Sequence, residues 1–205
     1  MDYIKDPKMI EKESFRIIGS EMGAHSFTER ELKIVKRVIH TTADFEYKDL
    51  IYIREGAIDA ALKLLKKGSI TIYADTNMIT AGVSKKVLNA LNCKVVSYVR
   101  DERTAEIAKE AGITRSMAAV ERAVEEGIKF FVFGNAPTAL YRLKELIEDG
   151  KCSPHFVIAA PVGFVGAEKS KKDFEELSVP MITIRGRKGG STVAAAIVNA
   201  LLYML

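Results

Sequence analysis

In "RVIHTTADF", residues 37–45, an arginine and a histidine stand three positions apart. On a helix that spacing brings Arg37 and His40 to one side. An imidazole can donate or accept a proton near neutral pH, and a guanidinium can grip a carboxylate through two parallel N–H bonds. His40 is expected in the last turn of its helix, where the negative end of the dipole favours a protonated ring. The position suits a group that must donate a proton near neutral pH; the simpler alternative is a helix-end histidine with an electrostatic role only. His25, in a Gly-Ala-His-Ser loop, reads as a surface residue, and His155, after Pro154 and before an apolar run, reads as structural.

Further chemistry is carried by loops. "RGRKGGS" (185–191) combines Arg185, Arg187 and Lys188 with Gly189 and Gly190, which let backbone approach a ligand. Ser191 then opens a helix whose free N–H groups complete an anion site. The order matches neither GxxxxGK[ST] nor GxGxxG, so a nucleotide fingerprint is absent. "GNAPTAL" (134–140) places Asn135 before a helix that accepts Pro137 in its first turn, leaving the Asn side chain to cap or to bind. "ADTNM" (74–78) offers Asp75 and Thr76 to a ligand or to a chain turn. "TRSMAAVE" (114–121) puts Arg115 before a helix with Ser116 as its expected N-cap. "PVGFVGAEKS" (161–170) is unusual because Val162, Phe164 and Val165 make an apolar loop. Such a loop fits a subunit interface or a wall for a large, flat, apolar ligand.

These loops need a scaffold. "DPKMIEKESFRIIGSEM" predicts a helix with Pro7 in its first turn, and "SFTERELKIVKRVIH" predicts a second, opened by a Thr28-x-x-Glu31 capping box and running to about His40. From residue 70 onward, short apolar runs alternate with loops and helical stretches. The runs are 70–74, 94–99, 129–133, 156–160 and 181–185, each nearly continuous in apolar character as strands covered on both faces are. Strand, loop, helix in repetition predicts an α/β fold: a parallel sheet of about five strands flanked by helices, with right-handed crossovers. Ligands of such sheets lie outside the carboxyl ends of the strands, where the loops above fall. One domain is expected over 1–205, with 1–66 mainly helical and 67–205 built of βα units. The alanine-rich tail "TVAAAIVNALLYML" is expected as a buried helix.

Composition narrows the partners. Lys and Arg outnumber Asp and Glu by 31 to 27, and Trp is absent. A net charge of +4 hints at an anionic ligand but gives no footprint for nucleic acid. Cys93 and Cys152 stand alone, so neither a zinc site nor a disulfide framework is expected. The first residues carry no apolar signal core and no run is long enough to span a bilayer, so a cytoplasmic protein off the membrane is expected.

Taken together and in order, "IHTTADF", "DTNMITAGVSK", "TRSMAAVE", "GNAPTALYRLKELIEDG", "PVGFVGAEKSK" and "RGRKGGSTVAAAIVNAL" resemble the signatures of the precorrin-8 methylmutase family of cobalamin biosynthesis. The resemblance implies an isomerase that moves a methyl group between adjacent carbons of ring C of precorrin-8X or cobalt-precorrin-8. It also implies a flavodoxin-like sheet, a homodimer, and no cofactor or protein-held metal, any cobalt arriving with the tetrapyrrole substrate. His40 matches the family's catalytic histidine, expected to protonate or hydrogen-bond a ring nitrogen. Ser14 and Arg37 match substrate-contacting positions. Asp75, Thr76, Arg115, Ser116, Asn135, Arg185, Arg187, Gly189, Gly190 and Ser191 are expected at the substrate from their loop positions. His25 and Lys169 match no pattern. The competing readings are a non-catalytic corrinoid carrier and a flavodoxin-like protein binding a flavin or nucleotide.

Overall fold

The computed structural model describes residues 3–205. Helix α1 (Pro7–Glu21) starts where Asp6 accepts the amides of Lys8 and Met9 and Pro7 takes the first helical position. Helix α2 (Glu29–Thr42) opens with the expected capping box between Thr28 and Glu31. It runs two residues past His40, with the Thr41 and Thr42 hydroxyls bonding back to the carbonyls of Arg37 and Val38, and it stops at left-handed Ala43.

A short helix α3 (Tyr47–Leu50) leads into strand β1 (Ile51–Ile53), then α4 (Ala57–Lys67). The remainder alternates as predicted: β2 (Thr71–Ala74), α5 (Asn77–Gly82), α6 (Lys85–Ala90), β3 (Lys94–Val96), α7 (Glu102–Ala111), α8 (Arg115–Glu125) and β4 (Phe130–Phe133). Helix α9 (Pro137–Glu148), β5 (Phe156–Ala159), α10 (Ala167–Glu175), β6 (Met181–Ile184) and α11 (Ser191–Leu202) complete it.

All six strands form one sheet in the order β1-β6-β5-β4-β2-β3. The five expected strands are parallel, and their order is that of flavodoxin-like doubly wound sheets. Strand β1 corrects the prediction: residues 51–53 lie antiparallel to β6, with Tyr52 opposite Thr183, so the sheet is mixed and has six strands. Three residues are too few to show an alternation, and this strand takes its conformation from the β6 edge rather than from its own pattern.

Side chains of β4 alternate between two cores. Phe130 and Val132 pack with α2, α4, α5 and α11, whereas Phe131 and Phe133 pack with residues of α8, α9 and α10. Helix α11 is buried almost throughout, pressed between the sheet and α2, with α1 outside α2. The chain reverses sides between β2 and β4. There the loop after β2 turns toward α5 and the loop after β4 toward α9, the switch point where doubly wound sheets place their ligand crevice.

Candidate active site

The switch point is held by Asp75. Its carboxylate is buried and accepts three consecutive backbone N–H groups, Gly134 at 2.9 Å and Asn135 and Ala136 at 2.8 Å each. Burial pushes the carboxyl upward in pKa, and the three donors pull it part of the way back. Asp75 thus shapes the 134–136 loop from beneath. Beside it, Thr76 caps α5 and its hydroxyl meets that of Ser191 at 2.8 Å, joining the β2 loop to the start of α11. Gly134 permits this closeness, since a Cβ there would lie 2.7 Å from the Ser191 Cα. Asn135 is exposed; it does not cap α9, whose N-cap is Ala136.

The 185–191 loop closes the other side of the crevice. Gly190 donates to the Ala160 carbonyl at 2.8 Å, and Gly189, at φ 149°, lies so close to that carbonyl that a Cβ would stand 2.3 Å from its oxygen. No side chain caps α11, so its first-turn N–H groups stay open to an anion. The three cations of this loop have separate fates. Arg185 grips Glu175 through two nitrogens, its shortest contact 2.8 Å, and stacks on Tyr52, so it is taken up by the protein. Lys188 pairs with Asp44 and with Glu46 at 2.7 Å. Arg187 is exposed and lies over the Phe164 ring. Among the described residues Phe164 and Val165 are the most exposed large apolar side chains, at 86% and 90%.

His40 and Arg37 meet through a third residue. Phe15, on α1, presents its face to the Arg37 guanidinium, 4.9 Å from the ring centroid, and stands at 86° to the His40 ring at 5.1 Å. The His40 Nδ1 is buried without a hydrogen-bond partner. Arg37 is also stacked on Tyr203 and paired with Glu11 at 2.7 Å, in a cleft of about 200 Å³ lined by Phe15, Lys33 and Lys36. Ser14, half-buried beside Phe15, donates to the Ile10 carbonyl.

Two clusters result. Ser14, Arg37 and His40 lie on the α1–α2 face, and Thr76, Asn135, Arg187, Gly189, Gly190 and Ser191 lie at the carboxyl edge. The segment just after His40 connects them, through Asp44 and Glu46 to Lys188 and through the Tyr47 hydroxyl to the Gly189 carbonyl. Arg115 is exposed at the start of α8. The predicted N-cap Ser116 is displaced by Thr114, which accepts the Met117 amide because its backbone is extended where that of Ser116 is helical.

Sequence reading missed Phe15, Glu11, Tyr47 and Lys171. Lys171 hides in the charge run "EKSKKD", and its signal is spacing: Ala167, Lys171 and Phe174 fall on one buried helix face.

A doubly wound α/β scaffold with an uncapped helix start at its carboxyl edge and a helix-borne imidazole has the groups to bind an anion and to move a proton. The sequence profile of the precorrin-8X methylmutases matches residues 9–204. The chain is 44% identical to the cobalt-precorrin-8 methylmutase of Salmonella typhimurium, covering 100% of this chain and 99% of that one. It is 40% identical to the enzyme of the same name from Leptospira interrogans, covering 95% and 92%. The crystal structure of a precorrin-8X methylmutase from Thermus thermophilus superposes with a TM-score of 0.88 at 39% identity, over 95% of this chain and 96% of that one. The chain belongs to the precorrin-8X methylmutase family, isomerases of cobalamin biosynthesis.

Proposed function

We propose that this chain converts cobalt-precorrin-8 to cobyrinic acid by moving a methyl group between adjacent carbons of ring C, with His40 as the proton donor and acceptor. The observation that carries the role of His40 is its setting: a ring held edge-on by Phe15, next to a stacked guanidinium, with Nδ1 buried and unpartnered. Protonating or hydrogen-bonding a ring nitrogen of the macrocycle makes its conjugated system electron-poor. A [1,5]-type methyl migration then meets a lower barrier, and the proton is returned afterwards. The shift is an isomerisation in which atoms and electrons balance within the substrate, so no cofactor takes part.

The rest of the surface suits a flat polycarboxylate. Arg37, Arg187 and the open N–H groups of α11 serve its carboxylates, and Val162, Phe164 and Val165 cover an apolar face. Those exposed apolar residues also support a homodimer in which each subunit completes the other's cavity. The cobalt form of the substrate is supported by the relatives at 40–44% identity, all named for it, while others so named fall to 34%, below the 37–38% of relatives named for precorrin-8X. Among the described residues no helix is long and apolar enough to cross a membrane, and a cytoplasmic location fits a pathway enzyme of this kind.

The test is the visible spectrum of cobalt-precorrin-8 incubated with wild type and with His40→Ala. Wild type is expected to develop the corrin spectrum, while His40→Ala binds the ligand without converting it. Binding without conversion by both proteins would instead identify a corrinoid carrier, and normal turnover by His40→Ala would remove His40 from the mechanism.

A further inference from the structure

Three consecutive carbonyls of the 185–191 loop are each held by a different element. Arg187 accepts from the Gly163 amide at 3.1 Å, Lys188 from the Lys171 ammonium at 2.8 Å, and Gly189 from the Tyr47 hydroxyl at 3.4 Å. The middle donor is unusual. Lys171 is fully buried on the inner face of α10, and no carboxylate lies within ion-pair distance of it among the described residues. Glu168 on its own helix supplies the charge that favours the ammonium. Lys172, Glu175 and Arg185 share the adjoining cleft, but Glu175 and Arg185 are paired to each other, and the Lys188 ammonium turns away to Asp44 and Glu46.

Burying an ammonium against one neutral acceptor is costly, and an apolar side chain of similar length would fill the space without that cost. What the ammonium does supply is orientation. In a trans peptide the carbonyl and the following N–H point in opposite directions, and no cis bond occurs among the described residues. Drawing the Lys188 carbonyl down to Lys171 therefore turns the Gly189 N–H away from α10, and the next helix, α11, begins two residues later with its first-turn N–H groups uncapped.

We infer that Lys171 is a positioning residue for substrate: its buried ammonium fixes the 188–189 peptide so that the Gly189 N–H joins the α11 N–H groups around a substrate carboxylate, and its charge reinforces that cradle from behind. This rests on the methylmutase reading of the site. Burial lowers the Lys171 pKa to about 8, so the cradle weakens as pH rises through that value.

The experiment measures kcat and KM for cobalt-precorrin-8, and separately the affinity for the cobyrinic acid product, at pH values on both sides of 8, for wild type, Lys171→Met and Lys171→Arg. Wild-type KM should rise above pH 8. Lys171→Met should raise KM about tenfold at neutral pH, the loss of one charge-assisted contact, with kcat changed less than about threefold and no further rise in alkali. Lys171→Arg stays charged and should keep its neutral-pH KM into alkali. Circular dichroism checks folding, and if the Met variant does not fold, the flat alkaline profile of the Arg variant decides. A wild-type KM profile that persists unchanged in either folded variant overturns the proposal while leaving the methylmutase intact. Wild type that neither converts substrate nor binds product overturns both.

Discussion

Phe15 holds His40 by its edge: the two rings cross at 86° with centroids 5.1 Å apart, and the imidazole Nδ1 makes no hydrogen bond. Packing, and no polar partner, thus fixes the orientation of this ring. Phe15→Leu keeps an apolar side chain but removes the flat edge, and kcat is expected to fall about tenfold as the imidazole loses its alignment. Because Phe15 also carries the Arg37 guanidinium, KM should rise as well, though by a smaller factor. Steady-state kinetics that show a change in KM alone would assign Phe15 to binding and not to the alignment of His40.

Asp75 makes a prediction about stability. Asp75→Ala strands three N–H groups, two of them buried, and a loss of about 3 kcal/mol is expected in urea unfolding; Asp75→Asn, which can still accept through one oxygen, should lose less. The pH dependence has a definite sign. The folded carboxyl is raised above its ordinary value, so its contribution is fully present at low pH and is lost as pH rises through the folded value. Asp75→Asn should remove that part of the stability–pH curve, whereas an unchanged curve would assign the dependence to other carboxylates.

The parallel strands and the loops at their carboxyl ends were legible because buried strands read as unbroken apolar runs and the loops carry Gly, Asn and charge. Strand β1 was not, since residues 51–53 are ordered by an edge that forms later in the chain. The loop residues divide along the same line. Sequence marks Arg185 and Arg187 as equivalent cations, but Glu175, ten residues earlier and a full strand away, neutralises only the first. Asp75 reads as free to meet a ligand or to turn the chain, and its bonds to a loop sixty residues downstream leave no mark on the local sequence. Types and spacing reveal which groups reach the crevice edge; partners distant in sequence decide which of them remain available.

Gly134 tests whether the crevice depends on the contact between the β4 loop and α11. In Gly134→Ala a methyl would stand 2.7 Å from the Ser191 Cα and 2.9 Å from its nitrogen, both backbone atoms that cannot step aside. The helix start must move, breaking the 2.8 Å bond between Thr76 and Ser191. A cost of about 1–3 kcal/mol is expected from such overpacking, read as a lowered Tm, together with weaker product binding. Undiminished affinity in the destabilised variant would separate the anion site from this contact.

Glu11 occupies the Arg37 guanidinium, which the proposed function assigns to a substrate carboxylate. Its Oε1 lies 2.7 Å from Arg37, and the pair is partly open to solvent, with side chains 47% and 22% exposed. An ion pair in that setting contributes only about 0–1 kcal/mol to stability, so Glu11→Gln should fold and melt like wild type. Arg37 would stay in place between Phe15 and Tyr203, which stack against it without a charge partner. Freed of its internal competitor, Arg37 should bind the substrate more readily, and KM is expected to fall about threefold with kcat unchanged. Raising ionic strength weakens both the internal pair and the substrate contact, so the advantage of Glu11→Gln should shrink in salt. A higher KM in Glu11→Gln would reverse the assignment, making the pair part of how Arg37 is presented and not a competitor for it.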